Sequence, residues 1–226
     1  MDTLSPTPGP PALGLLMLQT RFPRPPGDIG NPATFPFPLL ARTVAGASAE
    51  RVVRRRAEGL LPAFVEAGQA LVRDGAAAIA TSCSFLALVQ DELSAVLGVP
   101  VAASSLAQVA PVNRLLPPGR RAGIITISAA ALSSDHLAAA GVPPGTPIGT
   151  TEGGREFTRA ILSDAETLDL DAARADCVDA ARALQADHDD LGAIVLECTN
   201  MGPYAADIAA ATGLPVWSVV THLRWL

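Results

Sequence analysis

Cys83 and Cys198 are the residues of this chain best placed to do chemistry, because each occupies the same position in two copies of one stretch. Residues 77–105 (AAIATSCSFLALVQDELSAVLGVPVAASS) align without a gap on residues 192–220 (GAIVLECTNMGPYAADIAAATGLPVWSVV), an offset of 115 that carries Cys83 onto Cys198. Ala78/Ala193, Ile79/Ile194, Ala95/Ala210, Gly98/Gly213, Pro100/Pro215 and Val101/Val216 are identical pairs. Each copy reads as strand, cysteine turn, helix, glycine, proline, strand. In open α/β sheets ligands bind beyond the carboxyl ends of strands. A thiol there meets the free N–H groups and positive end of the following helix. That setting lowers a cysteine pKa and enriches the thiolate, the reactive form. The duplication therefore predicts two similar lobes related by a pseudo-twofold axis, each offering one thiol to a shared cleft.

The elements that must position these thiols alternate between strands and helices. Residues 12–18 (ALGLLML) form a continuous apolar run, as a buried parallel strand does. Residues 19–40 follow with six prolines and two glycines, which rules out a regular element. A stiff segment leaving the carboxyl end of a strand is either a wall or lid of the cleft or a packed crossover. Then come a helical region over 49–73 broken at Pro62, a strand at 76–81, a helix at 84–97 and a strand at 99–103. Residues 113–121 (NRLLPPGRR) read as a linker. The second lobe opens with a strand at 122–127 and a short helix capped by Ser133 or Ser134. A turn and short strand at 142–151, helices at 155–162 and 171–186, and the repeated strand (193–197), helix (202–212) and strand (216–220) complete it. The alternation predicts an α/β fold with a parallel sheet in each lobe. The expected division is a disordered tail at 1–11, a first lobe of 12–115 plus 214–226, and a second lobe of 116–213.

Composition narrows the function. The chain has 226 residues, 49% of them hydrophobic, and can bury a substantial core. Its formal charge of −6 argues against a nucleic-acid surface. The one basic cluster, Arg51 to Arg56 (RVVRRR), reads as a solvated helix face. No segment reaches the roughly 18 apolar residues of a membrane span. The N-terminal stretch lacks a basic region before its short apolar run. These features predict a cytoplasmic protein without a membrane partner. Three cysteines without CxxC spacing read as free thiols, not as metal ligands. Cys177 shares a helical stripe with Ala181 and Leu184 and reads as a packing residue. His136 and His188 sit beside acidic surface stretches. His222 follows the last strand, from where a side chain can approach the cleft.

At TSCSF and LECTNM the chain resembles the aspartate/glutamate/hydantoin racemase superfamily, the cofactor-independent two-cysteine racemases. The resemblance runs from LGLLMLQT through GIITIS to ECTNMGPYAADIAAATGLPVWSVVT. It implies two flavodoxin-like lobes with the active site in the cleft between them, a homodimer, and neither pyridoxal phosphate nor a metal. It places catalysis on Cys83 and Cys198, one on each face of a small carboxylate or amide substrate, exchanging the roles of base and acid. Positioned proton transfer contributes roughly 10²–10⁴-fold, so the carbanion also needs stabilising donors. The candidates are backbone N–H groups at the two helix starts, with Ser84, Thr199 and Asn200. Ser82 and Phe85 flank the first cysteine, and Thr126 and Ser128 end the second lobe's first strand.

The chain also departs from the family. Glutamate racemases carry an Asp-Ser pair after the first strand, where this chain has Gln19 and Thr20, which are the candidate substrate contacts at that position. They carry a histidine two residues beyond the second cysteine, where it has Asn200. Asp28 and Asn31, in the proline-rich segment, are the candidates to replace those groups. The expected function is an amino-acid (aspartate/glutamate-type) or hydantoin racemase. The alternatives are a cysteine-dependent decarboxylase or maleate-type cis–trans isomerase, or a non-catalytic small-acid binder. An arylmalonate-type decarboxylase keeps the second cysteine and lacks the first, so Cys83 counts against that one.

Overall fold

The first half of the chain builds one four-stranded parallel sheet, seen in a computed structural model that describes residues 11–225. The disordered tail expected at 1–11 falls outside the described residues except for Pro11. In chain order the elements are β1 (Ala12–Met17), β2 (Leu39–Thr43), α1 (Ala49–Val53), α2 (Leu61–Arg73), β3 (Ala76–Thr81), α3 (Gln90–Leu97), β4 (Val101–Ala102) and α4 (Val109–Leu115). The sheet order is β2-β1-β3-β4. The second half repeats it with β5 (Arg121–Thr126), α5 (Ser134–Ala139), β6 (Ile148–Thr150), α6 (Phe157–Leu162), α7 (Leu170–Asp187), β7 (Leu191–Leu196), α8 (Ala205–Thr212), β8 (Val216–Trp217) and α9 (Val219–Leu223). Its order is β6-β5-β7-β8, the same topology.

The duplication holds at the level of single residues. β3, the 3-10 helix Ser84–Val89 and α3 map at the 115-residue offset onto β7, the 3-10 helix Thr199–Tyr204 and α8. Ile79 is in register with Val101 on β4, and Ile194 with Val216 on β8. Gly98 and Gly213 end α3 and α8 at φ 66° and 69°, a left-handed conformation that a side chain disfavours. Most of the buried apolar residues of both halves join in one continuous core. On α2 the buried Phe64, Ala67, Gly68 and Leu71 recur at helical spacing. On α7 the buried Ala173, Cys177, Ala181 and Leu184 do the same, which places Cys177 in packing.

Several boundaries differ from the sequence expectation. β2 begins inside the stretch expected to be irregular. It is a largely exposed strand that, among the described residues, pairs only with β1, so no buried face marks it in the sequence. The break in the 49–73 helical region lies at residues 54–60, where Arg56, Ala57 and Gly59 have φ of 54°, 55° and 72°. Pro62 instead occupies the first turn of α2, where its missing N–H costs nothing. α4 extends into the expected linker. β8 pairs with β7, so residues 216–217 belong to the second sheet, not to the first lobe. The return to the first lobe comes with α9, whose Val219 and Leu223 pack with Leu13, Leu15 and Ala78. Ser218 caps that helix and ends the strand expected to reach residue 220. Ser133 caps α5 with His136 as its capping-box partner. His136 is fully buried, contrary to its expected surface position. Among the described residues no helix is long and apolar enough to cross a membrane.

Candidate active site

Each cysteine turn is built by hydroxyl groups that hold the backbone at a strand end. The Thr81 hydroxyl donates to the carbonyls of Cys83 at 3.0 Å and Ala103 at 2.7 Å. Ser82 Oγ accepts from the N–H of Leu18, just past β1, at 2.8 Å. Cys83 and Cys198 then cap the paired 3-10 helices in extended conformation. The two turns are also stitched to each other. Thr199 Oγ1 donates to the Ser82 carbonyl at 2.7 Å. Ser105, which bonds Ser84, reaches the carbonyls of Leu196 and Glu197 at 2.6 and 2.8 Å. The lobes are thereby fixed in register at the point where both thiols emerge.

Both thiols line one narrow crevice between the lobes. Ser82, Ser84 and Phe85 line it beside Cys83, and Thr199 and Asn200 beside Cys198. Cys83 is half-buried and Cys198 buried. Phe22 and Val53 from the first lobe and Ile127 and Ile161 from the second supply apolar walls. The proline-rich segment forms part of the site. Thr20, Phe22 and Arg24 line the crevice, and Gly27 lies against the backbone of Gly202 and Pro203.

The electrostatics reverse one expectation. Burial pushes the Cys83 thiol up to about 12, with the Glu197 carboxyl adding to the rise; the Phe85 N–H and Arg24 pull only partly the other way. Burial and then Glu197 raise Cys198 as well, against the N–H of Asn200. The N–H groups at the 3-10 helix starts are outweighed because the closed crevice removes water from the thiolate. Both thiols therefore rest in their neutral form.

Glu197 is a crevice-lining acid that sequence reasoning did not single out. Its carboxyl is 1% exposed and lines the crevice. The Thr126 hydroxyl donates to its Oε2 at 2.8 Å. Burial lifts its pKa to about 7, while bonds from Thr126 and the Ile127 N–H oppose the rise. The available signal was an acidic residue directly after a buried apolar strand (AIVLE) and beside a cysteine.

Asp28, proposed by position to replace a missing acid, does reach the site. It is buried, and its Oδ2 accepts from Asn200 Nδ2 at 2.7 Å while its Oδ1 pairs with Arg24 at 2.8 Å. Arg24 also donates to Thr20 Oγ1 at 2.9 Å. Asn200 Oδ1 lies 3.5 Å from the Cys198 sulfur, so a chain of polar contacts runs from that thiol to the loop. The other candidates lie elsewhere. Asn31 caps the short helix at 32–34 and donates to the Arg24 carbonyl. Gln19 accepts from the Gly46 N–H outside the crevice. Thr126 reaches the crevice only through Glu197, and Ser128 bonds Glu152. His222 lines a separate hollow with Gln90 and Ser104. Among the described residues no three His, Cys, Asp or Glu side chains converge as metal ligands.

Comparison with known proteins identifies the family and the fold. Residues 62–225 match the family model described as Asp/Glu/Hydantoin racemase. A dimethylsulfoniopropionate lyase from Durusdinium sp. clade D is 27% identical over 215 residues, covering 92% of this chain and 71% of the lyase. Dimethylsulfoniopropionate lyase 7 of Emiliania huxleyi (strain CCMP1516) is 26% identical over 220 residues, covering 93% of this chain and 64% of that lyase. Among solved structures, a glycine-to-cysteine mutant of arylmalonate decarboxylase superposes with a TM-score of 0.64 at 18% identity, over 95% of this chain and 91% of its own. The Picrophilus torridus aspartate racemase superposes at 0.58 and 10% identity, over 93% and 89%. At these identities the superpositions establish the two-lobed fold, and the family match establishes membership: the chain belongs to the Asp/Glu/hydantoin racemase family.

Proposed function

We propose that the chain is a cofactor-independent enzyme that removes and returns the proton on a carbon next to a carboxylate or amide carbonyl. Cys83 and Cys198 serve as base and acid from opposite faces, which makes a racemase. The observation that carries this reading is that two thiols at equivalent turns of the two lobes line one crevice. The chain contains no lysine, so none of its residues offers a lysine amine for Schiff-base chemistry.

The resting site holds two neutral thiols and one carboxyl that titrates near neutrality. A thiol becomes a base by passing its proton to the Glu197 carboxylate, leaving a thiolate and a neutral acid; with the Cys83 thiol at about 12 and the carboxyl at about 7, this transfer is uphill and forms part of the barrier. The thiolate takes the α-proton, and the opposite thiol returns one to the other face. The negative charge that develops on the substrate carboxylate falls near Arg24 and the N–H groups at the 3-10 helix starts.

A second reading is β-elimination, favoured by the two lyase relatives. It shares the first step: a thiolate removes the proton next to a carboxylate. A leaving group on the next carbon, such as dimethyl sulfide from a sulfonium, then departs with its bonding electrons. NMR in D₂O with aspartate, glutamate, hydantoins and dimethylsulfoniopropionate separates the readings. A racemase exchanges the α-proton and erases optical rotation, whereas a lyase releases dimethyl sulfide and an acrylate. Neither outcome with any of these compounds counts against the proton-transfer assignment.

A further inference from the structure

Building on that reading, we infer that the crevice takes a substrate with one carboxylate and a neutral or cationic remainder, and that Glu197 excludes a second carboxylate.

The charge inventory of the crevice carries the argument. Of the described residues that line it, only Arg24 and Glu197 bear ionisable charges besides the thiols. Arg24 is the one cation, and Asp28 already neutralises it at 2.8 Å. The chain has no lysine, and neither His136 nor His222 lines the crevice. One substrate carboxylate can be met by Arg24 and backbone N–H groups. A second finds no partner. It meets either the apolar side chains of Val53, Phe85 and Ile161 or the Glu197 carboxyl itself. An unpaired anion in such surroundings is strongly disfavoured. A neutral side chain suits the apolar walls, and a cationic group suits Glu197.

The exclusion should strengthen as Glu197 ionises, through about pH 7. The titratable and charged groups around it are Cys198 beside it, Cys83 from the opposite turn, and Arg24 with Asp28 from the proline-rich loop. The Tyr204 phenol lies within electrostatic reach of Cys198 and Asp28, and from β5 the Thr126 hydroxyl donates to the carboxyl. The thiols stay neutral across this range, which leaves Glu197 as the group that changes charge.

Ligand-observed NMR on the full chain tests this, with alanine, dimethylsulfoniopropionate, aspartate and glutamate as probes at pH 6 and pH 8. At pH 8 the better of the first two is expected to bind about tenfold or more tightly than either dicarboxylate. The gap should narrow at pH 6, and in Glu197→Gln it should be small at both pH values. Aspartate or glutamate binding as tightly as the monocarboxylates at pH 8 overturns the inference while leaving the carbon-acid reading intact. A gap that persists unchanged in Glu197→Gln overturns the role of that residue. The wild-type pH comparison decides the matter even if the variant fails to fold. Binding by none of the four sinks the inference, and D₂O exchange then decides the fate of the broader reading.

Discussion

The carboxamide of Asn200 donates to Asp28 Oδ2 at 2.7 Å, joining residues 172 positions apart and tying the second cysteine turn to the proline-rich loop. The same carboxylate holds Arg24, so one buried acid orients both the amide beside Cys198 and the crevice's one arginine. Asp28 thus sets a buried acid from the proline-rich loop against the second cysteine turn.

Asp28→Ala should therefore cost stability and function together. It strands a nearly buried guanidinium and removes the acceptor for Asn200. Urea denaturation should show a loss of about 3 kcal/mol, the usual consequence of removing one partner of a buried ion pair. Weaker binding of any carboxylate substrate should accompany it. An unchanged midpoint would show that Arg24 finds another partner.

Gly202→Ala should displace the loop without removing a polar side chain. A Cβ on Gly202 would overlap the carbonyl oxygen of Gly27, and both contact partners are backbone. Proteolysis within residues 19–38 should accelerate, and the Asp28–Asn200 bond should be lost. Wild-type resistance in this variant would mean that the loop is seated by other contacts.

Much of this arrangement was legible in the sequence because it is written twice. The pairing of Ile79 with Val101 and of Ile194 with Val216 reproduces the sequence offset, and so do the cysteine turns. The parts that were not legible lack a periodic signal. β2 is a largely exposed strand with no buried face to mark it. Glu197 looks like any acidic residue until β7 proves to be buried to its end. Ser84 and Thr199 were expected to grip substrate, yet their hydroxyls are bonded to Ser105 and to the Ser82 carbonyl. A hydroxyl's partner across 117 residues cannot be read from its neighbours.

Glu197 should make the fold sensitive to alkali. Its carboxyl has a raised pKa of about 7 in the folded chain against 4.5 in the open. The stability it contributes is full below about pH 4.5 and is lost as pH rises through 7. The whole effect is on the order of 3 kcal/mol. Glu197→Gln should flatten the fall in stability between pH 5 and pH 8. It should also speed alkylation of Cys83 at pH 8, since a neighbouring negative charge is gone. Parallel pH curves for variant and wild type would contradict this.

His136 predicts the opposite dependence. Burial lowers its pKa from 6.5 to about 4. Its Nδ1 faces the Ser133 N–H and hydroxyl, and its ring lies edge-on to Phe85 at 5.1 Å. The unfolded chain binds this proton more readily, so stability should fall as pH drops from 6.5 towards 4, by roughly 2–3 kcal/mol. His136→Gln should remove that slope in denaturation curves taken between pH 7 and pH 4.5. Because Phe85 lines the crevice, acid should loosen the site before the fold is lost.

The central claim is that the two thiols act as a pair on one α-carbon, and α-deuterium incorporation in D₂O by single-cysteine variants tests it most directly. With a substrate that the wild type racemises, Cys83→Ser and Cys198→Ser should each lose racemisation by about 10²-fold or more, while Cys177→Ala, altered only in the buried stripe of α7, should retain it. Full racemisation by either of the first two variants would contradict the account.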